Sequence, residues 1–543
     1  MNIEKKIWVT VTLLIIVLIP VSFAYWYWNS TTNTNVSFTI NGVDVTYVGG
    51  SDITGANLIP VSSKEVGISK NSAIEKVVTA SSTQTTYMNL YLTLETLPDG
   101  LKDKNFVYEV YNGANLVGKG NFASYNQGDK VKIANAQTIT SSTTSFQLYI
   151  WIDGNVDNPS SMMNQSFKFV LSADATDYNP SQATLTKLGV TVNNNAVTTF
   201  GKMPYVTESE LTTLCSNIEY DSLSGCLSDW YEVDTYSELM ATGKVSTVND
   251  NGVFATEDDL GTAYYYRGNV ENNYVYFANA YWRIMRINGD GTIRMIYDGS
   301  NKSHNGVYDE DKMATSSMYN EDYDDNAYVG YMYGTPNSDY TNTHKNTTSS
   351  TIKQVVDKWY EDTIIAGGYD KYIADAIYCN DRKVTTGTYF GGWELDGDGT
   401  GITETEYETV ARMYGETVSP TLKCPQDNDK FSKTAIGNGN LTYSIGLPTT
   451  DELVMAGYTL YDYDNGTYVP SISSYAYTYD WFWTMSPSVF FGGNAFVWDG
   501  EDGIADDDYW VIDSGGVRPV VSLKSDTPFS SGDGSYNTPF VVG

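Results

Sequence analysis

Residues 281–297 read YWRIMRINGDGTIRMIY. Two largely apolar runs flank the tetrapeptide Asn288-Gly289-Asp290-Gly291, and Gly and Asn accept the positive φ angles that tight turns require. The stretch therefore predicts a β-hairpin, which places β structure at the start of the C-terminal half of the chain.

Helical signals follow this hairpin. Ser350 precedes a 3.6-residue pattern that predicts an amphipathic helix, formed by Ile352, Val355, Val356 and Trp359. Thr449 and Glu452 form a capping box, and Gly457 is placed to end the helix that the box opens. Aromatic strands and long loops come afterwards. From 262 to 543 the sequence predicts an α+β domain.

The N-terminal half has the period-two pattern of half-buried strands. Apolar residues alternate with polar or aromatic ones at Met88, Leu90, Leu92, Leu94, Phe146, Leu148, Ile150 and Ile152. Asn112-Gly113 marks a hairpin turn. Residues 35–180 are therefore predicted to form an all-β sandwich or jelly roll.

Between the two halves, residues 181–261 are rich in Asn, Thr and Ser and are interpreted as a connector. Thr207 and Glu210 form a capping box for a short helix. Cys215 and Cys226 lie close enough to join this segment as a local disulfide.

Residues 1–34 predict export. Lys5 and Lys6 precede a nearly uninterrupted apolar run from 7 to 24, and Ser22-Phe23-Ala24 has the small-x-small form of a cleavage site. An uncleaved membrane anchor fits equally well, since the run is just long enough to span a bilayer. Both alternatives put the rest of the chain outside the cytoplasm, which predicts an extracellular, cell-surface or membrane-anchored protein.

The charge and the cysteine content of the chain limit the classes of partner and the compartment that are expected. The chain has 66 acidic and 32 basic residues and a net charge of −34. Such a surface repels phosphate backbones, so nucleic acid is a poor partner, whereas carboxylates supply ligands for Ca²⁺. Four cysteines fit an oxidising compartment. Cys215/Cys226 and Cys379/Cys424 are the natural pairs, but the sequence alone does not select among the three possible connectivities.

Catalytic motifs are absent from the sequence. His304 and His344 lie in polar surroundings, where surface or loop positions are expected, and neither has zinc-ligand spacing. There is no G-x-S-x-G or Walker A motif. The protein is therefore interpreted as a binding protein and not as an enzyme.

Candidate ligand-binding residues are aromatic and amide side chains in Gly- and Asp-rich stretches, namely Trp393, Phe491, Asn494, Trp498, Tyr509 and Trp510. Aromatic faces stack on sugars and anchor protein contacts, although the same residues would also fill the core of a loop-rich domain. A possible Ca²⁺ loop comprises Asp396, Asp398, Thr400 and Glu404. Because Tyr407 replaces the bidentate acid of an EF-hand at position twelve, an ordinary Gly/Asp turn is the alternative.

The C-terminal half resembles Gram-positive surface modules with a C-type-lectin-like, or formylglycine-generating-enzyme-like, fold. The resemblance depends on four ordered motifs, 281–284, 447–453, 483–487 and 516–519. It implies a rigid frame with variable binding loops. The enzyme branch of that fold uses a late pair of reactive cysteines, and no cysteine follows Cys424 here, so the resemblance implies a binding protein.

The N-terminal half, from 1 to about 175, looks like the camelysin/TasA-like family of exported biofilm-matrix proteins. This resemblance depends on the export segment and on the motifs at 56–61 and 148–153. It implies a role in a fibre or surface structure.

These observations favour a bacterial adhesin or recognition protein, with a lectin-like head on a β-sandwich stalk and a glycan or a surface protein as partner. The alternative is a self-associating subunit of an extracellular fibre or biofilm matrix.

Overall fold

The computed structural model describes residues 26–29, 36–40, 43–49, 52–123, 125–154, 161–176, 179–195, 197, 200–201, 208–217, 222–231, 233–241, 251–302, 312–385, 395–434, 436–460, 474–507 and 509–543. They belong to two compact units, Met1–Asn179 and Pro180–Gly543. Within these ranges no helix has both the length and the apolar character to cross a bilayer. The predicted export segment up to residue 25 lies outside the described residues.

The first unit consists mainly of antiparallel strands. They are β1 (Trp26–Asn29), β2 (Val36–Ile40), β3 (Val43–Val48), β4 (Ile53–Ala56), β5 (Ala73–Ser82), β6 (Thr86–Thr96), β7 (Phe106–Asn112), β8 (Asn115–Asn121), β9 (Lys130–Ile139), β10 (Thr144–Ile152) and β11 (Ser166–Thr176). One helix, α1 (Lys64–Ser69), precedes β5. One sheet has the order β1-β11-β6-β9, with β4 also paired to β11, and the other has the order β2-β3-β5-β10-β7-β8.

The core of the first unit follows the period-two pattern. Leu90, Leu92 and Leu94 of β6 are buried, as are Phe146 and Ile150 of β10. The predicted hairpin at Asn112-Gly113 is confirmed, since β7 pairs with β8 across it. The prediction of a sandwich-like β unit is thus confirmed at this level.

The second unit contains the remaining strands and most of the helices. Its strands are β12 (Gly252–Asp258), β13 (Gly261–Arg267), β14 (Tyr274–Phe277), β15 (Ala280–Ile287), β16 (Ile293–Tyr297), β17 (Thr315–Ser317), β18 (Met332–Tyr333), β19 (Thr348–Ser349), β20 (Tyr378–Cys379), β21 (Thr405–Glu406), β22 (Lys430–Phe431), β23 (Thr459–Leu460), β24 (Phe482–Phe491), β25 (Asn494–Glu501), β26 (Ile504–Asp506), β27 (Gly515–Val517), β28 (Val520–Leu523), β29 (Phe529–Ser531) and β30 (Phe540–Val542). Its helices are α2 (Pro180–Leu188), α3 (Glu208–Asn217), α4 (Leu223–Tyr231), α5 (Tyr236–Ala241), α6 (Tyr340–Thr343), α7 (Thr351–Tyr360), α8 (Glu408–Tyr414) and α9 (Thr450–Ala456).

Two larger sheets organise the described strands of this unit. The first has the order β12-β13-β15-β14-β30-β29, with β16 between β15 and β28; the second has the order β17-β27-β24-β25-β26-β23, with β21 paired to β24. Two two-stranded sheets, β18-β19 and β20-β22, complete the set. One continuous apolar core, which includes Trp282 and Trp483, contacts both larger sheets.

The local predictions in this half are confirmed. β15 and β16 form the hairpin of residues 281–297. Ser350 caps α7 through a hydrogen bond from Lys353 N. Thr449 and Glu452 form the capping box of α9, and Gly457 ends that helix with a φ of 108°.

The boundaries of the second unit differ from those expected. Residues 180–261 belong to it, because β12 pairs with β13 along its whole length. In addition, Ser181 Oγ donates to Thr262 O at 2.5 Å, and Thr184 Oγ1 donates to Gly291 O at 2.7 Å. The start of the predicted connector is therefore integrated into the fold by hydrogen bonds. Thr207 of its capping box lies outside the described residues.

Candidate functional site

An exposed pair of aromatic rings marks the best candidate for a binding surface. Tyr323 is 41% exposed and Trp510 is 40% exposed. Their ring centroids lie 6.5 Å apart with an interplanar angle of 25°. Phe496, which is half-buried, meets Trp510 edge-on at 6.2 Å. We call Tyr323, Phe496 and Trp510 the aromatic surface.

Backbone hydrogen bonds hold this surface on a rigid strand. Ala495 N, in β25, donates to Tyr323 O at 2.9 Å, and Val511 N donates to Ala495 O at 3.1 Å. Trp510 N donates to Asp513 Oδ2 at 2.9 Å. The two exposed rings, which come from distant parts of the sequence, are therefore positioned by the same residue of β25.

Carboxylates lie near the aromatic surface in the sequence and in the fold of β25. Glu321, Asp322 and Asp324 flank Tyr323 in the sequence and are exposed. The predicted Ca²⁺ loop, residues 396–404, contacts the turn that precedes β25, because Glu404 Oε1 accepts a hydrogen bond from Gly492 N at 3.3 Å. Asn326 also donates to Thr403 O in that loop at 2.8 Å. The structure thus brings the two predicted binding regions next to each other.

The residues of the predicted Ca²⁺ loop lie in a hydrogen-bonded turn. Asp398 Oδ1 accepts from Thr400 Oγ1 at 2.7 Å and from Thr403 Oγ1 at 3.3 Å, and Asp396 forms an isolated β-bridge with Thr405. In the part of the chain that the structure describes, no three His, Cys, Asp or Glu side chains converge as a group for a metal ion. A calcium ion at this loop stays a prediction.

The other predicted ligand residues have different environments. Trp498 is completely buried, and its ring packs against Tyr414 at 5.3 Å. Its prediction as a ligand-binding residue is therefore wrong, because both neighbouring strands and the core cover it. Phe491 packs partly against the core, and Asn494 Nδ2 donates to Gly492 O in the β24–β25 turn at 3.1 Å. Trp393 lies outside the described residues.

Tyr509 is half-buried beneath another ring. It stacks on Trp481 with centroids 3.9 Å apart and an interplanar angle of 3°, so one of its faces is covered. Gly515 makes this arrangement possible, since a Cβ atom there would lie 2.1 Å from Trp481 Cζ3. Tyr509 thus supports the region next to Trp510, the predicted ligand residue with the largest exposed ring.

Trp483 and Arg518, which belong to two motifs of the resemblance, are both buried. Trp483 is buried and donates from Nε1 to Ser317 O at 2.9 Å. Arg518 is buried, and its Nη2 lies 3.3 Å from Asp298 Oδ1. His344 is buried against the ring of Tyr340 and lies in the turn that ends α6, so of the two expected positions, surface or loop, it occupies a loop. His304 lies outside the described residues.

A narrow charged cleft, partly open to solvent, lies elsewhere in the second unit. Its lining includes Arg286, Arg294, Arg412, Asp381 and Glu452. Arg286 and Arg294 are directly opposite each other on β15 and β16, where two like charges repel. Glu452 Oε1 compensates, because it lies 3.2 Å from Arg286 Nε and 2.5 Å from Arg294 Nε.

The second half of the cleft contains another ion-pair network. Arg412 Nε and Nη2 each donate to Asp451 at 2.9 Å, and Arg412 Nη1 lies 2.7 Å from Asp381 Oδ2. Burial raises the pKa of the Asp381 carboxyl to about 6 despite this arginine. Burial likewise raises the pKa of Asp258 to about 6, although Arg286 is nearby.

The sequence analysis missed this cleft. The signal was present in the hairpin itself, where Arg286 and Arg294 interrupt two otherwise apolar strands. A charged residue in a buried strand needs a partner, and Glu452 of the capping box is that partner.

Two disulfides join the described cysteines in the second unit. Cys215 bonds to Cys226, and Cys379 bonds to Cys424. Cys379 also lines the charged cleft. Paired cysteines of this kind indicate an extracellular, oxidising environment.

Comparison with known proteins adds little to this geometry. No protein-family model and no curated protein matches the chain. Among solved structures, the CBM32-1 and CBM32-2 domains of ZmpB from Clostridium perfringens match 56% of this chain and 80% of their own, at 9% identity and a TM-score of 0.14. A TM-score that low demonstrates no shared fold, and we draw neither fold nor ligand from it.

Proposed function

We propose that this chain is an exported bacterial surface protein whose second unit binds a carbohydrate through the aromatic surface, without converting it chemically. The observation that carries the proposal is the exposed, nearly parallel pair of Tyr323 and Trp510. Exposed aromatic faces on a rigid strand offer apolar contact area at a small cost in conformational entropy.

The size of the surface favours a sugar over a protein partner. A stable protein interface uses about 20–30 residues on each side, whereas the large exposed apolar side chains described in this unit are Tyr323, Ile365, Ile402, Tyr479 and Trp510. A sugar ring covers an aromatic face with its C–H groups and directs its hydroxyls sideways. Glu404 and Asn494 both bond to Gly492 in the turn that precedes Ala495, and their side-chain oxygens would supply acceptors for those hydroxyls.

We also propose a C-type-lectin-like frame for the second unit. Its support is that the motifs at 447–453 and 483–487 are in direct contact, and that the motif at 516–519 contacts Tyr297, which pairs with Trp282 of the motif at 281–284. Thr450 N donates to Ser486 Oγ at 3.0 Å, Met485 N donates to Pro448 O at 2.8 Å, and Tyr297 N donates to Pro519 O at 2.9 Å. Beside this frame, Tyr323 and Trp510 lie on loops next to β25, which contains Phe496.

Display at the cell surface completes the proposal. The apolar run at 7–24 would deliver the chain across the membrane or hold it there. The two disulfides suit the oxidising side, and the net charge of −34 keeps an exposed protein soluble.

The test is a glycan array with the full chain, followed by calorimetry with each oligosaccharide that binds. We expect Trp510→Ala and Tyr323→Ala each to weaken binding about tenfold, because each removes one stacking face. Tyr276→Ala is the matched control, since Tyr276 is a half-buried ring that pairs with Tyr281 on the other large sheet.

Binding by the wild-type chain that both surface variants weaken and the control leaves unchanged would support the proposal. Binding that all three variants retain would place the sugar elsewhere. An array on which no glycan binds, while a surface protein does, would replace the carbohydrate with a protein partner.

A further inference from the structure

Arg286 is the arginine of the charged cleft with the most buried N–H groups that make no hydrogen bond among the described residues: it has two, Nε and Nη1, whereas Arg294 and Arg412 have one each. Arg294 donates to Glu452 Oε2 at 3.1 Å, and Arg412 is held bidentately by Asp451. Arg286 makes only an ion pair with Glu452, whose Oε1 lies 3.2 Å from Nε and is shared with Arg294. Its nearest other carboxylate is Asp258, with Oδ2 3.7 Å from Nη1.

Asp258 is poorly placed to supply the missing hydrogen bonds of the Arg286 guanidinium. Its two oxygens accept hydrogen bonds from backbone groups, Oδ1 from Leu260 N at 2.7 Å and Oδ2 from Gly289 N at 3.0 Å. Arg286 is only 7% exposed. A guanidinium buried to that degree loses several hydrogen bonds to water, and an ion pair at 3.7 Å does not replace them.

Asn288 lies two residues after Arg286, in the turn that follows β15. It has an unsatisfied hydrogen-bond acceptor where Arg286 has unsatisfied donors. It also lines the cleft and is buried. Its Nδ2 donates to Thr292 Oγ1 at 2.8 Å and to Ser522 Oγ at 3.4 Å. Its Oδ1 accepts no hydrogen bond from any described residue.

We propose that the cleft binds a small hydroxy-carboxylate, with the carboxylate on Arg286 and the hydroxyl donating to Asn288 Oδ1. Guanidinium groups recognise carboxylates with paired hydrogen bonds, and the amide oxygen needs a donor. The two other arginines of the cleft, Arg294 and Arg412, are bound to carboxylates and keep it rigid. This site is independent of the aromatic surface.

Two sources share that chemistry, a free 2-hydroxy acid and an acidic sugar. Calorimetry or saturation-transfer NMR on the full chain would therefore use lactate and galacturonate as probes, with propionate and glycerol as comparisons. Propionate has the carboxylate without the hydroxyl, and glycerol has hydroxyls without the carboxylate. We expect lactate, galacturonate or both to bind about tenfold more tightly than propionate, and glycerol not to bind.

Two variants test whether the ligand binds at Arg286 and Asn288. Arg286→Lys keeps the charge but removes the paired donors, and Asn288→Asp places a negative charge against the ligand, so each should weaken binding about tenfold. Lys524→Ala is the control, because Lys524 is an exposed cation of the same unit that does not line the cleft. If one cleft variant fails to fold, the other and the lactate-to-propionate ratio of the wild type still decide the matter.

These experiments distinguish failure of the cleft proposal from failure of carbohydrate binding at the aromatic surface. No binding of either hydroxy acid, or equal binding of propionate, overturns the cleft proposal, as does binding that both cleft variants retain. Trp510→Ala should leave lactate binding unchanged, and Arg286→Lys should leave binding of a neutral oligosaccharide unchanged.

Discussion

Trp498 and Trp510 lie in the same acidic, aromatic stretch of sequence, but they meet opposite environments. Trp498 is fully buried in β25, against Tyr414, whereas Trp510 follows β26 and is 40% exposed beside Tyr323. The difference shows that aromatic content near Gly and Asp does not by itself identify a binding face. What decides the environment is whether other elements cover both sides of the strand.

The largest predicted effect is a difference in the free energy of unfolding between alanine variants of these two tryptophans. Trp498→Ala opens a cavity in the core and should lower the free energy of unfolding by about 3–5 kcal/mol. Trp510→Ala should change it by less than about 0.5 kcal/mol, since the ring is at the surface. Urea unfolding of the full chain, followed by circular dichroism, measures both values.

Trp498→Phe is the matched control for the buried site. The indole Nε1 of Trp498 has no hydrogen-bond partner among the described residues, so phenylalanine gives up volume but no hydrogen bond, and its cost should be well below that of alanine. Equal losses for Trp498→Ala and Trp510→Ala would contradict the assigned environments.

The second effect concerns the charge of the ligand at the exposed site. The exposed carboxylates Glu321, Asp322 and Asp324 flank Tyr323 in the sequence, so a neutral oligosaccharide should bind about tenfold more tightly than an acidic one of equal length in low salt. The gap should narrow at about 1 M salt, where charges are screened beyond about 3 Å. Calorimetry at two salt concentrations checks this.

A preference for acidic sugars that needs the aromatic surface would show that the flanking carboxylates do not set its selectivity. If instead acidic sugars bind and only Arg286→Lys weakens them, their binding belongs to the charged cleft.

The smallest predicted effect is the pH dependence of stability that comes from another buried ring, the imidazole of His344. His344 packs on Tyr340 with ring centroids 4.1 Å apart, and burial, with Arg382 nearby, lowers its pKa from 6.5 to about 3. The unfolded chain therefore binds the proton first as the pH falls. This group makes the fold less stable as the pH drops below about 6.5, by about 1 kcal/mol between pH 7 and pH 5.5.

Asp258 and Asp381 act in the opposite direction, because burial raises the pKa of each to about 6, and the fold gains stability as they take up protons. The difference between wild type and His344→Phe isolates the histidine. The variant should lose less stability on acidification, as followed by urea unfolding at both pH values. Parallel pH curves for the two proteins would contradict the burial of this imidazole.

The sequence predicted the parts of the fold that depend on local patterns. Alternation in β6 and β10, the Asn-Gly turn at 112–113 and the capping box of α9 each determine structure over a few residues. These features were confirmed because the side chains that define them act on their own backbone or on one face of one strand.

The candidate site was less predictable, because it depends on contacts between distant residues. Trp510 was among the predicted ligand residues, but its partner Tyr323 was not, and the two are brought together by the backbone hydrogen bonds of Ala495 to Tyr323 O and from Val511 N. Arg286 and Glu452 are likewise separated in sequence and joined by tertiary structure. A local pattern shows that a charge in a buried strand needs a partner, but not which distant residue supplies it.

The most direct test of carbohydrate binding at the aromatic surface is fluorine NMR of the full chain labelled with fluorotryptophan. Trp510→Phe and Trp498→Phe assign the two resonances. We predict that a neutral oligosaccharide shifts the Trp510 resonance to saturation and leaves the Trp498 resonance unchanged. A saturable ligand that leaves the Trp510 resonance in place would contradict the account.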